Sequence, residues 1–371
     1  MSRFTDFRVQ TPVKTLPSVL PPIDWSSIGA QAPAPVTLDY KGPDAPLPAA
    51  DIVMFTWTDA EWSAMDHVFL HGSVQGQSES TTLIHRWLLF SKSAPSGPSQ
   101  GGKLWGYYQL VGIQGSGGKK HRVLLMKSDS HLAHPPWIKG LEGMVKAVIA
   151  DAQPKQIYSI GTAGGASVSQ RLGDVSITNS GTLQLKVKDN TPSGLSGKTF
   201  TSNWFPDLSL IPKAKKLFFP LSKIATQAGL ESVLDSAKKS KHADAKELAP
   251  FSLADLLNAA IDPANLGSPK AVDFKGTPLL TTDYYYIAAA DSNYAALEMD
   301  DAAVGYAAAQ AQTDFVFVRN ISDTLVPAET PGHQPIPPGA REAWSSAVYD
   351  AYGLHTSFNG ALAAWATIAA S

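Results

Sequence analysis

The stretch Leu297–Thr324, LEMDDAAVGYAAAQAQTDFVFVRNISDT, decides the fold. Small apolar residues fill Ala302 to Ala311 with no proline and one glycine, which predicts a close-packed helix. Phe315, Val316, Phe317 and Val318 follow as a short aromatic and β-branched run, the mark of a central strand. Acid stands at both ends of this unit. Glu298, Asp300 and Asp301 lie where the helix begins, and Asp323 lies just past the strand. Acids at a helix start also serve the helix dipole alone, and an Asp after a strand is often a turn residue. The end of a central strand is nevertheless where open α/β sheets keep their ligand crevices.

Working outward, the 371 residues are 44% hydrophobic and 17% charged, with a formal net charge of -2. That length holds a sizeable core in one large domain or two modest ones. The near-neutral balance speaks against a dedicated nucleic-acid binder, which needs a basic face. The absence of cysteine excludes disulfides, thiolate catalysis and Cys-ligated zinc. No apolar run reaches the roughly 20 residues that span a bilayer, and MSRFTDFRVQTPVKTL lacks the apolar segment of a signal peptide. The expectation is a soluble, cytoplasmic protein that binds neither membrane nor nucleic acid.

Residues 1–50 are rich in proline, which fixes φ and removes a donor. This arm either runs extended over the surface or across a partner subunit, or it is a disordered tail. Asp51–Thr56, DIVMFT, reads as a buried strand, and Thr58–Leu70 as an amphipathic helix with Thr58 as N-cap and Glu61 at the capping-box spacing. Thr81–Phe90 and Leu104–Ile113 read as strands joined by a Gly/Ser/Pro loop. Val123–Met126 is a further strand, ending in Lys127-Ser128-Asp129-Ser130-His131. Pro136–Ala152 is a helix. The strand beginning Ile157-Tyr158-Ser159 then runs into Ile160-Gly161-Thr162-Ala163-Gly164-Gly165, with Leu172-Gly173-Asp174-Val175 beyond. Glycines after a buried strand let a ligand lie against backbone N–H groups, and the Thr162 hydroxyl adds one donor. Further on, Ser222–Lys241 and Leu248–Ala260 read as helices with interleaved charges, a solvated face more than a nucleic-acid patch. Pro278–Tyr286 contains a strand, and Arg341–Tyr352 and Ser357–Ala370 read as two closing helices.

Several of these words resemble one family. Glu298-Met299-Asp300 before a small-residue helix and Arg319-Asn320-Ile321-Ser322-Asp323 after a strand are similar to the E-M-E helix start and R-x-I-S-D strand end of nucleoside phosphorylases and nucleosidases. That family includes purine nucleoside phosphorylases, uridine phosphorylase and methylthioadenosine/S-adenosylhomocysteine nucleosidase. The Gly-Thr-Ala-Gly-Gly turn followed by Leu-Gly-Asp-Val resembles its glycine turn. The likeness covers residues 51–175 loosely and 277–370 more firmly. It implies a three-layer α/β/α domain with a mixed central sheet over residues 51–371, an atypical insertion at 186–276, and a homo-oligomer, dimer or hexamer.

The resemblance also implies roles. Asp323 is the acid that protonates the leaving base, at N7 of a purine, with Ser322 beside it. Glu298, Met299 and Asp300 hold the ribose, although the family has Glu where Asp300 stands, which puts the sugar geometry in question. Thr162, Ala163 and Gly164 line the site. An early Glu reaches in, for which Glu61 aligns best and Asp59 is the rival. An aromatic stacks on the base, for which Tyr285 aligns best, with Tyr284 or Tyr286 as alternatives. Lys127, His131 and His134 are candidate contacts to an anion or to hydroxyls. No cofactor or metal is implied. Phosphorolytic members place arginine in the first loop and just before the glycine turn, where this chain has Thr56-Trp57-Thr58 and Ser159 or Ile160. Their loss favours hydrolysis with Glu61 activating water. The alternative is phosphorolysis with phosphate as co-substrate, where Lys127, Arg86, Arg122, His131 or a residue of a partner subunit replaces the lost arginines. A non-catalytic nucleoside-binding protein is the alternative of another class.

Overall fold

The computed structural model describes residues 20–71, 86–94, 104–135, 137–240, 244–286, 291 and 293–371. The expected residues 1–19 of the arm, most of the loop and strand over 72–85 and 95–103, and the helix-opening Pro136 lie outside the described residues.

Among the described residues, the sheet has thirteen strands. They are β1 (Ala34–Pro35), β2 (Ile52–Thr56), β3 (Leu88–Phe90), β4 (Gly106–Gln114), β5 (Lys120–Ser128), β6 (Gln156–Gly164), β7 (Val175–Thr178), β8 (Ser180–Gln184), β9 (Thr199–Thr201), β10 (Ala271–Asp273), β11 (Leu279–Thr282), β12 (Leu297–Glu298) and β13 (Asp314–Asp323). The main helices are α1 (Asp59–Asp66), α2 (Trp137–Ala152), α3 (Gln227–Lys238), α4 (Asp301–Gln310) and α5 (Pro338–Ala369). Among the described residues, no helix is long and apolar enough to cross a membrane.

The parallel heart of the sheet is β5–β2–β6–β13, with Met54 level with Leu125 and Tyr158, and Val318 level with Ile160. These strands are buried on both faces, so they read as continuous apolar runs and not as alternation. β4 runs antiparallel to β5, and β7 antiparallel to β13, so the sheet is mixed, as expected. β7 and β8 are separated only by Asn179, and the path β8–β11–β12 returns to β6 at Leu297 and Gly164. That return curls the sheet around the far ends of β6 and β13. One face packs on α1 and α5 through residues such as Trp62, Val316, Leu362 and Trp365. The other packs on α2 and α4 through Leu141, Val145, Ala303 and Phe317. The three-layer α/β/α arrangement follows.

Two expectations need correction. The two closing helices are one helix of 32 residues. Gly353 and Gly360 do not break it, although an interior glycine costs about 1 kcal/mol. A Cβ on Gly353 would lie 3.1 Å from the Tyr349 ring, and one on Gly360 would lie 2.5 Å from the Asn320 amide oxygen. Both glycines are there for close approach. The expected helix over Leu248–Ala260 is two short turns, Ala245–Leu248 and Leu253–Leu256, because Pro250 cannot continue a helix. Ser176 to Leu185 completes β7 and forms β8 of the central sheet. From Leu20 onward the arm packs on its own chain: Trp25 meets Trp365 with ring centroids 4.6 Å apart, and Ala34–Pro35 forms an edge strand on β4, where proline is tolerated.

Candidate active site

The four parallel strands end along one edge of the sheet, at Ser128, Thr56, Gly164 and Asp323. The first side chain at this edge follows from a helix cap. Thr58 Oγ1 accepts the Glu61 N–H at 3.4 Å, and Glu61 Oε2 accepts the Thr58 N–H at 2.9 Å, the reciprocal capping box. The same oxygen accepts the Trp57 N–H at 2.9 Å and the Thr56 hydroxyl at 3.2 Å. Glu61 Oε1 crosses to β6 and accepts the Thr162 N–H at 2.8 Å and the Thr162 hydroxyl at 2.6 Å. Cap and site are one structure, and Glu61 reaches Thr162 of the Gly161–Gly165 segment.

That segment works differently from its sequence reading. A Cβ on Gly161 would lie 2.5 Å from Arg319 Nη1 and 2.7 Å from Glu61 Oε1. Gly161 leaves room for protein side chains and not for a ligand. The Gly161→Ala variant is therefore expected to lose about 1–3 kcal/mol of stability through overpacking. Urea unfolding checks this, and an unchanged midpoint would show that Glu61 and Arg319 are free to move aside.

Arg319 is the centre of the acidic cluster. Its Nε donates to Asp301 Oδ2 at 2.7 Å, and Nη2 donates to Asp301 Oδ1, a bidentate pair. Nη2 also lies 3.4 Å from Glu298 Oε2 and donates to Ser159 Oγ at 3.3 Å, while Nη1 donates to the Thr162 carbonyl at 3.1 Å. The Trp57 indole N–H donates to the same Ser159 hydroxyl at 3.1 Å. Glu298 caps α4, accepting the N–H groups of Asp300 at 2.6 Å and Asp301 at 2.9 Å, and it takes the Thr281 hydroxyl on its other oxygen. Burial, with Asp301 adding and Arg319 opposing, pushes the Glu298 carboxyl up to about 7. Burial raises Asp301 too, and its guanidinium partner opposes.

Asp300 turns away from Arg319 toward the loop after β5. Its Oδ1 accepts the Leu132 N–H at 2.9 Å, and its Oδ2 lies 3.1 Å from His131 Nε2. Burial, with Glu298 alongside, holds the Asp300 carboxyl well above the usual carboxylate range. Burial, then His134, Lys127 and Arg319, holds His131 well below the usual imidazole range. The buried Lys127 ammonium donates to the Ser128 carbonyl at 2.6 Å and lies 5.9 Å over the Trp62 ring. The other two candidate cations stand elsewhere. Arg86 pairs with Asp66 at the far end of α1, and Arg122 belongs to the start of β5, at the opposite edge of the sheet.

Asp323 closes the far side. Its Oδ1 accepts the Ser322 hydroxyl at 2.9 Å and its Oδ2 the Ser345 hydroxyl of α5 at 2.6 Å. A Cβ on Gly164 would lie 3.3 Å from Asp323 Oδ2 and 3.7 Å from the Leu297 side chain, so the two ends of the 297–323 unit meet across β6. Burial pushes the Asp323 carboxyl up, and the Ser345 and Ser322 hydroxyls pull against it. Tyr285 lies beside Asp323 with its hydroxyl on Ser345, and burial and the Asp323 charge together raise its phenol well above the ordinary value. Tyr284 instead carries the Lys186 ammonium 4.0 Å over its ring and meets Tyr286 at 6.0 Å. Thr162, Gly164, Met299, Asp323, His131 and Tyr285 form the half-buried rim of this edge, around the buried Ala163, Glu298, Asp300 and Ser322.

The sequence gives no site role to Arg319, Asp301 or Ser345, nor to Asn190, whose amide donates to the Leu132 carbonyl in the His131 loop and to Asp283. Arg319 had a signal: a cation inside FVFVRN must be buried, and a buried cation must have a partner. Ser345 and Asn190 had none, being ordinary residues of a helix and a loop.

No family model and no curated protein sequence matches the chain. Among solved structures, the chain is similar to the 5'-methylthioadenosine/S-adenosylhomocysteine nucleosidase of Neisseria meningitidis, at 13% identity and a TM-score of 0.43, over 86% of this chain and 100% of that one. It is similar to S-adenosylhomocysteine nucleosidase of Streptococcus pyogenes at 12% identity and a TM-score of 0.42, over 88% and 98%. It is similar to futalosine hydrolase of Helicobacter pylori at 10% identity and a TM-score of 0.43, over 85% and 96%.

Proposed function

We propose that the chain hydrolyses the N-glycosidic bond of a purine or modified purine nucleoside, releasing free base and sugar. The observation that carries this is the presence of two unlike carboxyls at the end of β6, Glu61 on Thr162 and Asp323 beside Gly164. Asp323 is half-buried, raised, and held by two hydroxyls, the setting of a proton donor. Glu61 accepts five hydrogen bonds, two of them from Thr162. The longest of them, from the Thr56 hydroxyl, is the one a water can displace.

The chemistry runs as follows. Asp323 delivers its proton to the base nitrogen as the C1'–N bond breaks, and the bonding pair leaves with the base. The sugar cation is stabilised by the surrounding carboxylates, with Met299 against its apolar face. Water adds to C1', and its proton passes to Glu61. Water is favoured over phosphate on electrostatic grounds. The two buried cations of this edge are committed, Arg319 to Asp301, Ser159 and the Thr162 carbonyl, and Lys127 to the Ser128 carbonyl. A dianion has little to hold it there.

Incubating the chain with a panel of nucleosides, with and without phosphate, tests the reading by chromatography of the base. The expected result is base released at equal rates in both, together with a reducing sugar. Base appearing only with phosphate would make the chain a phosphorylase. Saturable nucleoside binding with no base release would make it a binding protein.

A further inference from the structure

The loop carrying His131 is held on several sides. Asn190 Nδ2 donates to the Leu132 carbonyl at 3.0 Å and to Asp283 Oδ2 at 3.0 Å, while its Oδ1 accepts the Ile138 N–H at 2.9 Å. Asp283 in turn accepts the N–H groups of Lys186 at 2.8 Å and Val187 at 2.9 Å. The His131 ring meets Trp57 edge-on at 6.4 Å and His134 at 5.4 Å. Its Nδ1 accepts the Ala133 N–H at 3.3 Å, which places the ring proton on Nε2, facing Asp300. A fixed donor is thus aimed at a carboxylate whose side chain is 4% exposed.

A carboxylate offers about four lone-pair sites. Leu132 and His131 take one on each oxygen of Asp300. Two lone-pair sites remain, one on each oxygen, the number that two adjacent hydroxyls fill. Aspartate also has one rotor fewer than glutamate, so two fixed donors leave it a single orientation, set before any ligand arrives.

We propose that His131 is a positioning residue for sugar recognition, holding Asp300 so that its remaining lone pairs receive the vicinal hydroxyls of the substrate's sugar. This rests on the nucleosidase reading and adds what that reading lacks: how the shorter acid is aimed. Ribosides are then preferred over their 2'- and 3'-deoxy counterparts, and the preference depends on His131.

The test compares the best riboside of the panel with its 2'- and 3'-deoxy analogues, in the wild type, His131→Ala and His131→Gln. His131→Ala is expected to raise KM for the riboside about tenfold, the equivalent of one hydrogen bond, more than it lowers kcat. It should also bring the riboside and deoxyriboside efficiencies close together. His131→Gln, whose amide still donates, should restore part of the preference. Equal losses on riboside and deoxyribosides, with or without a lowered melting temperature, would make His131 a structural residue and overturn the proposal. A wild type active on the panel but indifferent to the sugar hydroxyls would overturn it alone. A wild type inert on every nucleoside would remove the glycosidic reading and this inference with it.

Discussion

Asp323→Asn is expected to lower base release by about 10²–10⁴-fold, the usual contribution of a positioned acid. The side chain keeps its shape, and its amide still accepts one hydroxyl, from Ser322 or Ser345, so the fold should persist. The pH dependence separates loss of the acid from loss of the fold. The acid works protonated, so wild-type kcat falls as pH rises through the Asp323 pKa, which burial has raised. Ser345 donates to the charged form and pulls that pKa down, so Ser345→Ala should carry the falling limb to higher pH. Stability has a matching sign. A carboxyl raised by folding contributes stability that is fully present below its unfolded value and lost as pH rises through its folded one. In Asp323→Asn that loss should vanish. Undiminished turnover in Asp323→Asn, or a pH limb that Ser345→Ala leaves in place, would end the acid assignment.

What the sequence made legible is what local rules decide. The cap of α1 was readable because Thr58 and Glu61 stand three apart, and the structure shows the capping box in full. The strand over Phe315–Val318 was readable from its apolar run, but its continuation to Asp323 was not, since Arg319, Asn320 and Ser322 look like a loop until their partners are known. Those partners are remote in the chain: Asp301 for Arg319, Ala163 for Ser322, Thr356 for Asn320. Gly161 to Gly164 read as a turn after a strand but are the last residues of β6, and spacing cannot tell that Gly161 faces Glu61 and Arg319. Likewise nothing local distinguishes Tyr285 from its neighbours. The contact with Ser345 does, and that residue comes from the middle of a helix read as two.

Arg319→Met is expected to lose about 3–5 kcal/mol, the cost of leaving a buried charge without its partner. The reason lies in the count of acids it serves. Asp301 loses a bidentate guanidinium and Glu298 a cation at 3.4 Å, and both are almost fully buried. Replacing Asp301 as well, in Arg319→Met/Asp301→Leu, removes the orphaned carboxylate, so the double variant should be less destabilised than the two single losses added together. A coupling of about 0.5–3 kcal/mol is the range for residues in contact, and urea unfolding of all four chains measures it. Strict additivity would mean that the pair is not a unit. Activity gives an independent readout, because Arg319 Nη1 holds the Thr162 carbonyl while Glu61 holds the Thr162 N–H and hydroxyl. Thr162 is gripped from both sides, one grip from the acid cluster at α4 and one from the cap of α1. If base release in the double variant falls although stability is recovered, the buried pair serves the turn that faces the substrate. If release recovers together with stability, Arg319 acts on the fold alone, and Glu61 suffices to place Thr162.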